Sequence, residues 1–151
     1  MTNPTPEDVK PAMPPRPFRI LVVEDDTDLC EIITEFLKDE LNVDVRMESN
    51  GYSAALQIGS WHPDLILLDF MLPGMNGFEI CKKIRENPNT CKIPIIAVTA
   101  LASLGSKKAI LEIGVTDIVN KPFFSEELLQ KIRNIMGIWA KSPSAVNPAG
   151  L

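Results

Sequence analysis

The sequence predicts an α/β domain with a doubly wound, five-stranded parallel sheet flanked by five helices. Two aliphatic runs, residues 20–23 and 65–68, are unbroken, as is typical of strands buried on both faces. Strand-like and helix-like segments alternate five times along the chain. This alternation indicates a parallel sheet with helices on both faces and right-handed connections. The 151 residues, 45% of them hydrophobic, suffice for one domain with a buried core.

The first predicted strand spans about residues 18–24, and a helix follows it. Asp26 or Thr27 is expected to cap this helix, because short polar side chains accept hydrogen bonds from the free amides at a helix start. The apolar residues of the helix recur at the spacing of one buried face. They are Leu29, Ile32, Ile33, Phe36 and Leu37.

The second predicted strand has an alternating pattern, in which charged residues separate Val43, Val45 and Met47. One of its faces is therefore exposed, and we expect this strand at an edge of the sheet. Gly51 opens a short helix, and the third strand spans residues 64–69. The inward residues of that helix are expected to be Ala54, Ala55 and Ile58.

The next two units continue the alternation. A turn cluster at residues 72–77 precedes a helix at about residues 78–85. The fourth strand spans residues 93–98, and the helix after it, at residues 103–113, ends at Gly114. Pro94 is tolerated because it lies near the start of this strand.

The last unit consists of a strand at residues 116–120 and a helix that Ser125 caps. Glu126 and Glu127 lie in the first turn of this helix, where carboxylates suit the helix dipole. The apolar stripe of the helix consists of Leu128, Leu129, Ile132, Ile135, Met136 and Trp139.

Both ends of the chain differ in composition from the part between them. Residues 1–17 contain six prolines, and residues 141–151 are a second polar segment with prolines. Proline-rich segments favour extended, solvated conformations and do not build a core. We therefore expect a disordered or extended arm at residues 1–17, the folded domain at residues 18–140 and a flexible tail at residues 141–151.

The bulk properties argue against several classes of function. A net charge of -5 and a pI near 4.9 disfavour binding of nucleic acid or an anionic membrane through bulk charge. The chain has no apolar run of membrane-spanning length and no signal-peptide pattern. Cys30, Cys81 and Cys91 stand in scattered contexts, as reduced cytosolic thiols do. We expect a cytoplasmic protein with no direct nucleic-acid or membrane partner.

Carboxylates follow two of the predicted strands. Glu24 and Asp25 follow the first strand, and Asp69 ends the third. Because the carboxyl ends of parallel strands meet at one edge of the sheet, these side chains would lie together and repel one another unless a cation holds them. Oxygen ligands with spare water positions suit Mg²⁺. The sequence therefore predicts a magnesium site at this edge.

Two further side chains belong to the same edge. Thr99 closes the fourth aliphatic run, and Lys121 follows the fifth strand. A metal ion, a carboxylate nucleophile, a hydroxyl and an ammonium are together suited to handling a phosphoryl group.

These signals together resemble the receiver domain of response regulators in two-component signalling. The resemblance covers about residues 18–139 and rests on the βα spacing and on four motifs in the right order. The motifs are VVEDD at 22–26, LLDFMLPGMNG at 67–77, VTA at 98–100 and KPF at 121–123. The resemblance implies a flavodoxin-like fold with strand order 2-1-3-4-5.

The resemblance implies a role for each acidic residue. Asp69 stands at the position of the phosphoacceptor, which takes a phosphoryl group from a kinase phosphohistidine. Asp25 and Asp69 would ligate Mg²⁺ directly, and Glu24 would do so directly or through water. The backbone carbonyl of Met71 would be a further ligand.

The resemblance also implies roles for the hydroxyl and the ammonium. Lys121 would pair with the phosphoryl oxygens. Thr99 would donate a hydrogen bond to one of them, and its inward movement is the switch step of the family. The bond between Lys121 and Pro122 is expected to be cis.

Three residues depart from the family's pattern. Ile118 stands where many receivers have a tyrosine or phenylalanine that reports the threonine movement, so we hypothesise a muted or non-standard switch. Met71 and Leu101 are apolar at positions where polar groups help to orient the attacking water. The prediction is slow self-dephosphorylation.

The sequence thus predicts a phospho-accepting receiver in single-domain form, because only a proline-bearing tail follows the last helix. It would catalyse only its own phosphorylation and dephosphorylation. Its expected partners are a histidine kinase or histidine phosphotransfer protein and an unidentified downstream protein. The apolar end of the last helix contains Ile135, Met136, Ile138 and Trp139. We expect it to pack against the first helix, and a homodimer or partner seam there is the alternative.

Other functions stay open at this point. The chain could be the receiver fragment of a larger regulator or hybrid kinase, or a pseudo-receiver that binds partners without being phosphorylated. A flavin-binding protein is disfavoured, because the acidic loop after the first strand would repel a bare phosphate. A phosphatase acting on other substrates would use the same groups, but no extra substrate loop is visible.

Overall fold

The computed structural model describes residues 16–70, 76–100, 104–121 and 126–140. Strands and helices alternate through these residues, as the sequence predicts. The elements are β1 (Phe18–Val23), α1 (Thr27–Glu40), β2 (Val43–Glu48), α2 (Gly51–Trp61), β3 (Leu65–Asp69), α3 (Gly77–Glu86), β4 (Ile95–Thr99), α4 (Leu104–Glu112), β5 (Asp117–Asn120) and α5 (Glu126–Ala140).

All neighbouring strands pair in parallel, in the order β2-β1-β3-β4-β5. This arrangement confirms the predicted fold class and strand order. β2 lies at one edge, in agreement with its alternating pattern. The register places Asp69 opposite Val98 and Thr99 opposite Asn120. The carboxyl ends of the central strands therefore lie side by side.

The sheet separates two hydrophobic clusters. One contains Leu21, Val23 and Leu68 and lies against α2, α3 and α4. The other contains Val22 and Leu67 and lies against α1 and α5. Successive residues of a strand point to opposite faces, so a strand that contributes to both clusters must be apolar at every position. This explains the unbroken aliphatic runs in the sequence.

Side-chain caps fix where three helices begin. Asp26, one of the two candidates for α1, caps it by accepting a hydrogen bond from the backbone N–H of Leu29 at 3.1 Å. Asn50 caps α2 and Asn76 caps α3 in the same way. Because α1 begins directly after β1, the acidic segment between them is held at the carboxyl edge of the sheet.

Two of the predicted inward residues are exposed. Ile32 is 53% exposed, and Ala55 also faces solvent, so both predictions were wrong. In α1 the buried line runs through Cys30, Ile33 and Leu37, and Ile32 lies beside that line. In α2 the buried residues are Gly51, Ala54, Ile58 and Trp61, with Ala55 one position beyond them.

Element boundaries differ from the prediction by one or two residues in several places. Asp64 precedes β3, and Thr99 lies within β4 instead of following it. Gly114, predicted to end the fourth helix, has a φ of +103° and follows α4 in a turn. Ser103 and Ser125 lie outside the described residues.

None of the helices in the described ranges combines the length and apolar character that a membrane span requires. The longest described helix, α5, has 15 residues. Arg16, which the sequence places in the arm, contacts the domain through an ion pair with Asp64.

Candidate functional site

The carboxyl edge of the sheet brings together side chains from four strands. Glu24 directly follows β1, Asp69 ends β3, Thr99 ends β4 and Lys121 directly follows β5. Backbone hydrogen bonds extend the strand pairing into this region. The N–H of Glu24 donates to the carbonyl of Glu48 at 3.0 Å, and the N–H of Lys121 donates to the carbonyl of Thr99 at 3.0 Å. The sheet itself therefore holds these residues in place.

Three carboxylates form a cluster at this edge. One carboxylate oxygen from each of Glu24, Asp25 and Asp69 lies within 4.8 Å of the others. Glu24 and Asp69 are each 2% exposed, whereas Asp25 faces solvent. The cluster is therefore buried on the side of the sheet and open on the side of Asp25.

The ammonium of Lys121 lies between the two buried carboxylates. Its Nζ is 3.2 Å from Asp69 Oδ2 and 3.3 Å from Glu24 Oε2. Partial burial acts to lower the pKa of Lys121, but the charges of Asp69 and Glu24 outweigh it and leave that pKa raised. The two buried carboxylates thus share the Lys121 ammonium.

Glu24 carries the clearest electrostatic conflict. Burial, followed by the charge of Asp69, raises the pKa of Glu24 to about 7, although Lys121 opposes this shift. Its buried Oε2 lies 3.3 Å from the Lys121 ammonium, which Glu24 shares with Asp69. An added cation would relieve the remaining repulsion between the two carboxylates.

This donor set fits Mg²⁺. Magnesium prefers oxygen ligands, usually takes one or two carboxylates from the protein, and keeps several waters. Glu24, Asp25 and Asp69 supply such oxygens, and the exposed side of the cluster leaves room for water. The predicted fourth ligand, the carbonyl of Met71, lies outside the described residues.

Thr99 is wholly buried at the end of β4. Its position opposite Asn120 brings it to the strand end that precedes Lys121. Thr99 thus reaches the predicted edge. Ile118, in place of an aromatic residue, is half-buried and packs against the cluster beneath α2, α3 and α4. Leu101 and Pro122 lie outside the described residues.

Sequence reasoning missed one contact that shapes the site. Phe70, directly after Asp69, is buried, and a Cβ at Gly77 would overlap its ring. The N–H of Gly77 also points to the carbonyl of Phe70 at 3.5 Å. A glycine is therefore needed where α3 begins, because the start of this helix lies against the ring of Phe70. The glycine after the capping Asn76 was the available signal.

The arrangement suits transfer of a phosphoryl group to a carboxylate. Such transfer depends mainly on positioning and on neutralising the charge of the phosphoryl oxygens. The buried Asp69 offers a nucleophile in a fixed position, and Lys121 offers positive charge within contact distance of it. The groups that the sequence assigned to one edge, Glu24, Asp25, Asp69, Thr99 and Lys121, do lie at that edge.

A family model and a named relative both match most of the chain. Residues 20–133 match the family model described as response regulator receiver domain. The protein named response regulator ArlR of Staphylococcus saprophyticus is 44% identical over 118 residues, which cover 78% of this chain and 52% of the relative. The chain spans about half the length of that relative.

Solved structures share the fold. The crystal structure of a putative response regulator from Chloroflexus aurantiacus superposes with a TM-score of 0.75 at 34% identity, covering 81% of this chain and 99% of the other. The receiver domain of a signal transduction histidine kinase from Syntrophus aciditrophicus gives a TM-score of 0.75 at 26% identity, covering 84% and 96%.

Proposed function

This chain belongs to the family of response regulator receiver domains, and from that membership we propose that Asp69 accepts a phosphoryl group in a Mg²⁺-dependent step. One observation carries the proposal. Buried Asp69 lies within 3.2 Å of the Lys121 ammonium and within a cluster of three carboxylate oxygens. A buried aspartate in this setting combines a fixed nucleophile with a place for a cation.

The chemistry follows from the positions of these groups. A carboxylate oxygen of Asp69 attacks the phosphorus of a phosphohistidine, and the bond from phosphorus to the imidazole nitrogen breaks. Mg²⁺, when bound, supplies positive charge that offsets the charge of the transferred oxygens. Lys121 is close enough to Asp69 to pair with the new phosphoryl group. Thr99, at the neighbouring strand end, donates a hydrogen bond to it.

The direct ligands of the proposed magnesium site are Asp25 and Asp69, with Glu24 acting directly or through water. The distribution of charge supports this set, because Glu24 and Asp69 share the ammonium of Lys121. The carbonyl of Met71 completes the proposed set.

The proposed biological role is that of a cytoplasmic signalling component. A histidine kinase or histidine phosphotransfer protein donates the phosphoryl group, and an unidentified protein receives the signal. The domain, at residues 18–140, catalyses only its own phosphorylation and dephosphorylation. The flanking segments, residues 1–17 and 141–151, lie outside the phosphorylation unit.

Two alternatives remain distinct from this proposal. The first assigns the chain to a larger regulator or hybrid kinase, and its likeness to the receiver domain of a histidine kinase is compatible with that assignment. A pseudo-receiver would bind partners without phosphorylation. The clustering of Glu24, Asp25, Asp69 and Lys121 favours the phosphorylated form, because binding alone gives no reason to bury like charges together.

A homodimer through α5 is less well supported by the geometry. Ile135, Met136 and Trp139 are half-buried and pack against the cluster that α1 and α5 cover. Ile138 alone of the four predicted seam residues is strongly exposed, at 74%. Most of the apolar end therefore serves the core.

The experiment is an intact mass measurement after incubation with acetyl phosphate and Mg²⁺. We expect one added phosphoryl group, absent in Asp69→Asn and absent when Mg²⁺ is removed by a chelator. Asp117→Asn is the matched control, because Asp117 lies at the far end of the sheet, in a partly exposed ion pair with Lys131. Phosphorylation of Asp69→Asn would overturn the proposal. So would an unmodified wild type under conditions that phosphorylate a control receiver.

The lifetime of the phosphorylated form is a second readout. Apolar Met71 and Leu101 are expected to shield the acyl phosphate from water. Substituting Met71→Asn together with Leu101→Glu should accelerate loss of the phosphoryl group, measured by mass over time. An unchanged rate would count against shielding by these two side chains.

A further inference from the structure

The segment that joins β1 to α1 carries two of the three clustered carboxylates. Glu24 and Asp25 are consecutive residues, so a single peptide unit links them. That unit is planar, which leaves one rotatable backbone bond on each side of it to set how the two side chains are directed. Whatever holds this peptide plane therefore also fixes the directions of two of the ligands proposed for Mg²⁺.

The carbonyl of this peptide unit is held from α1. The thiol of Cys30 donates a buried hydrogen bond to the Glu24 carbonyl oxygen, with 3.3 Å between Sγ and the oxygen. A thiol is a weak donor, but a buried carbonyl that loses its donor is left without compensation for the lost water. The N–H of Glu24 donates to the carbonyl of Glu48, next to β1 in the sheet. Both backbone polar groups of Glu24 are therefore fixed, one by the sheet and one by α1.

The position of the Cys30 thiol is itself well determined. Cys30 lies in the first turn of α1, where its N–H donates to the carbonyl of Asp26 at 2.9 Å. Its side chain belongs to the buried line of α1, together with Ile33 and Leu37, and is part of the hydrophobic cluster that lies against α1 and α5. The packing of α1 against the sheet therefore directs the thiol at the Glu24 carbonyl.

We propose that Cys30 is a positioning residue for the magnesium site and acts through the peptide plane between Glu24 and Asp25. The inference rests on the proposed function, because it assigns the thiol a part in holding ligands of Mg²⁺ without contact with the metal itself. Without the thiol the plane would be free to turn, and repulsion between the carboxylates of Glu24 and Asp25 would drive them apart. A cation would then have to order them again as it binds, which weakens binding.

Cys81 provides a matched control for Cys30. Both cysteines are buried, and each lies on a helix that packs against the sheet. Cys81 belongs to the cluster on the opposite face of the sheet, against α2, α3 and α4. Removal of either thiol takes a sulfur atom out of the core. A loss of Mg²⁺ affinity that arises from core packing in general should therefore appear at both positions.

Calorimetric titration of the metal-free full chain with Mg²⁺ tests this inference in wild type and four variants. Cys30→Ala removes the donor and leaves a small gap, whereas Cys30→Val removes the donor and fills the space. Cys30→Ser keeps a donor in a side chain of similar size. Cys81→Ala is the control. Circular dichroism checks that each variant is folded, and either donor-free variant suffices if the other does not fold.

We expect the dissociation constant for Mg²⁺ to rise about tenfold in Cys30→Ala and Cys30→Val, as is typical when the partner behind a metal ligand is removed. Cys30→Ser should stay within about threefold of wild type, because its hydroxyl can donate to the same carbonyl. Cys81→Ala should bind Mg²⁺ as wild type does, although it should unfold at a lower urea concentration. The Mg²⁺ concentration for half-maximal phosphorylation by acetyl phosphate should shift by the same factors, with the maximal rate unchanged.

Equal affinities of wild type and the donor-free variants would overturn this inference and leave the proposed function standing. Equal losses in Cys30→Ala and Cys81→Ala would also overturn it, because they would assign the effect to core packing. A Cys30→Ser variant as weak as Cys30→Ala would do the same, because the hydrogen bond would then not be the cause. A wild type that binds no Mg²⁺ would overturn the proposed function, and this inference with it.

Discussion

The two ends of the sheet use charged side chains in opposite ways. At the amino end, the Arg16 guanidinium donates two hydrogen bonds to the Asp64 carboxylate, at 2.6 and 2.8 Å. The backbone N–H of Arg19 donates a third to the same carboxylate at 2.9 Å. At the carboxyl end, Glu24 and Asp69 share one ammonium at 3.2 to 3.3 Å.

Aromatic rings add to the pairing at the amino end. Arg16 lies over the ring of Trp139 at 5.4 Å, and Arg19 lies over Trp61 at 5.6 Å. The carboxylate of Asp64 is matched there by groups of the chain itself, although the buried Nε of Arg16 has no hydrogen-bond partner among the described residues. At the carboxyl end the chain leaves negative charge in excess. The comparison shows that the charges that stabilise the fold are paired within the chain. The excess negative charge at the site instead favours binding of a cation and a phosphoryl group from outside.

Removing the ammonium should have the largest effect on the carboxyl end. Lys121→Met leaves two buried carboxylates without their shared cation, so we expect a loss of about 3 kcal/mol in unfolding free energy at pH 8 without Mg²⁺. The loss should be smaller at pH 5, where Glu24 is protonated. Urea unfolding followed by tryptophan fluorescence measures both. The surface variant Lys131→Met should cost under about 1 kcal/mol, and equal losses for the two variants would contradict this difference.

The stability of the metal-free protein should fall as pH rises towards and through 7. The pKa of Glu24 is about 7 in the folded chain and 4.5 ordinarily, so the unfolded state releases its proton first. The contribution of Glu24 to the free energy of unfolding is fully present below pH 4.5 and is lost as the pH rises through 7. The total loss is about 3 kcal/mol. Urea unfolding in a chelating buffer from pH 4.5 to 8 would show this. Glu24→Gln should flatten the profile, and an unchanged slope in that variant would assign the effect elsewhere.

Breaking the amino end should give a loss that neither pH nor magnesium alters. Asp64→Ala removes the acceptor of three hydrogen bonds, and we expect about 2 kcal/mol of destabilisation between pH 5 and 8. Phosphorylation at Asp69 should persist in the folded variant. If Mg²⁺ restored the lost stability, or if phosphorylation disappeared while the variant stayed folded, the two ends would not be independent.

The smallest effect concerns the contact between Gly77 and the ring of Phe70. Gly77→Ala introduces a Cβ that overlaps the Phe70 ring, so we expect a loss of about 1 to 2 kcal/mol. Gly59→Ala is the matched control, because its Cβ meets nothing, and it should raise stability by up to about 1 kcal/mol. Thermal unfolding of the two variants should shift in opposite directions. A shift in the same direction would mean that Phe70 moves aside freely.

The sequence predicts the central part of the fold well, for a physical reason. Strands buried on both faces must be apolar at every position, so their runs stand out. The site residues could be assigned to one edge because parallel strands place all their carboxyl ends there. The parallel topology alone therefore places Glu24, Asp69 and Lys121 at this edge, without any knowledge of the distances between them.

The helix faces were predicted less well. Ile32 and Ala55 lie next to the buried lines of their helices, and a helical spacing rule accepts residues on either side of such a line. Which side faces the sheet depends on how the helix packs. Cys30 was interpreted only as a reduced thiol and was left out of the α1 stripe, although it is buried there.

The long-range ion pair between Arg16 and Asp64 could not be predicted from the sequence. Arg16 and Asp64 are 48 positions apart, and neither has a local pattern that indicates the other. Arg16 was instead assigned to the arm by composition. The raised pKa of Glu24 could not be predicted from the sequence either, because it depends on the burial of Glu24 and on the position of Lys121. Such properties arise only when the strands have been brought together.

The most direct test of the account is calorimetric titration of the metal-free protein with Mg²⁺ at pH 7, in two buffers that differ in ionisation heat. We predict one site and release of protons, because Glu24 is partly protonated before the cation binds. Binding should weaken strongly in Asp25→Asn and Asp69→Asn and persist in Asp64→Ala. Absence of binding to wild type, or equal binding by all variants, would contradict the claim that the unmatched charge at the carboxyl end forms a magnesium site.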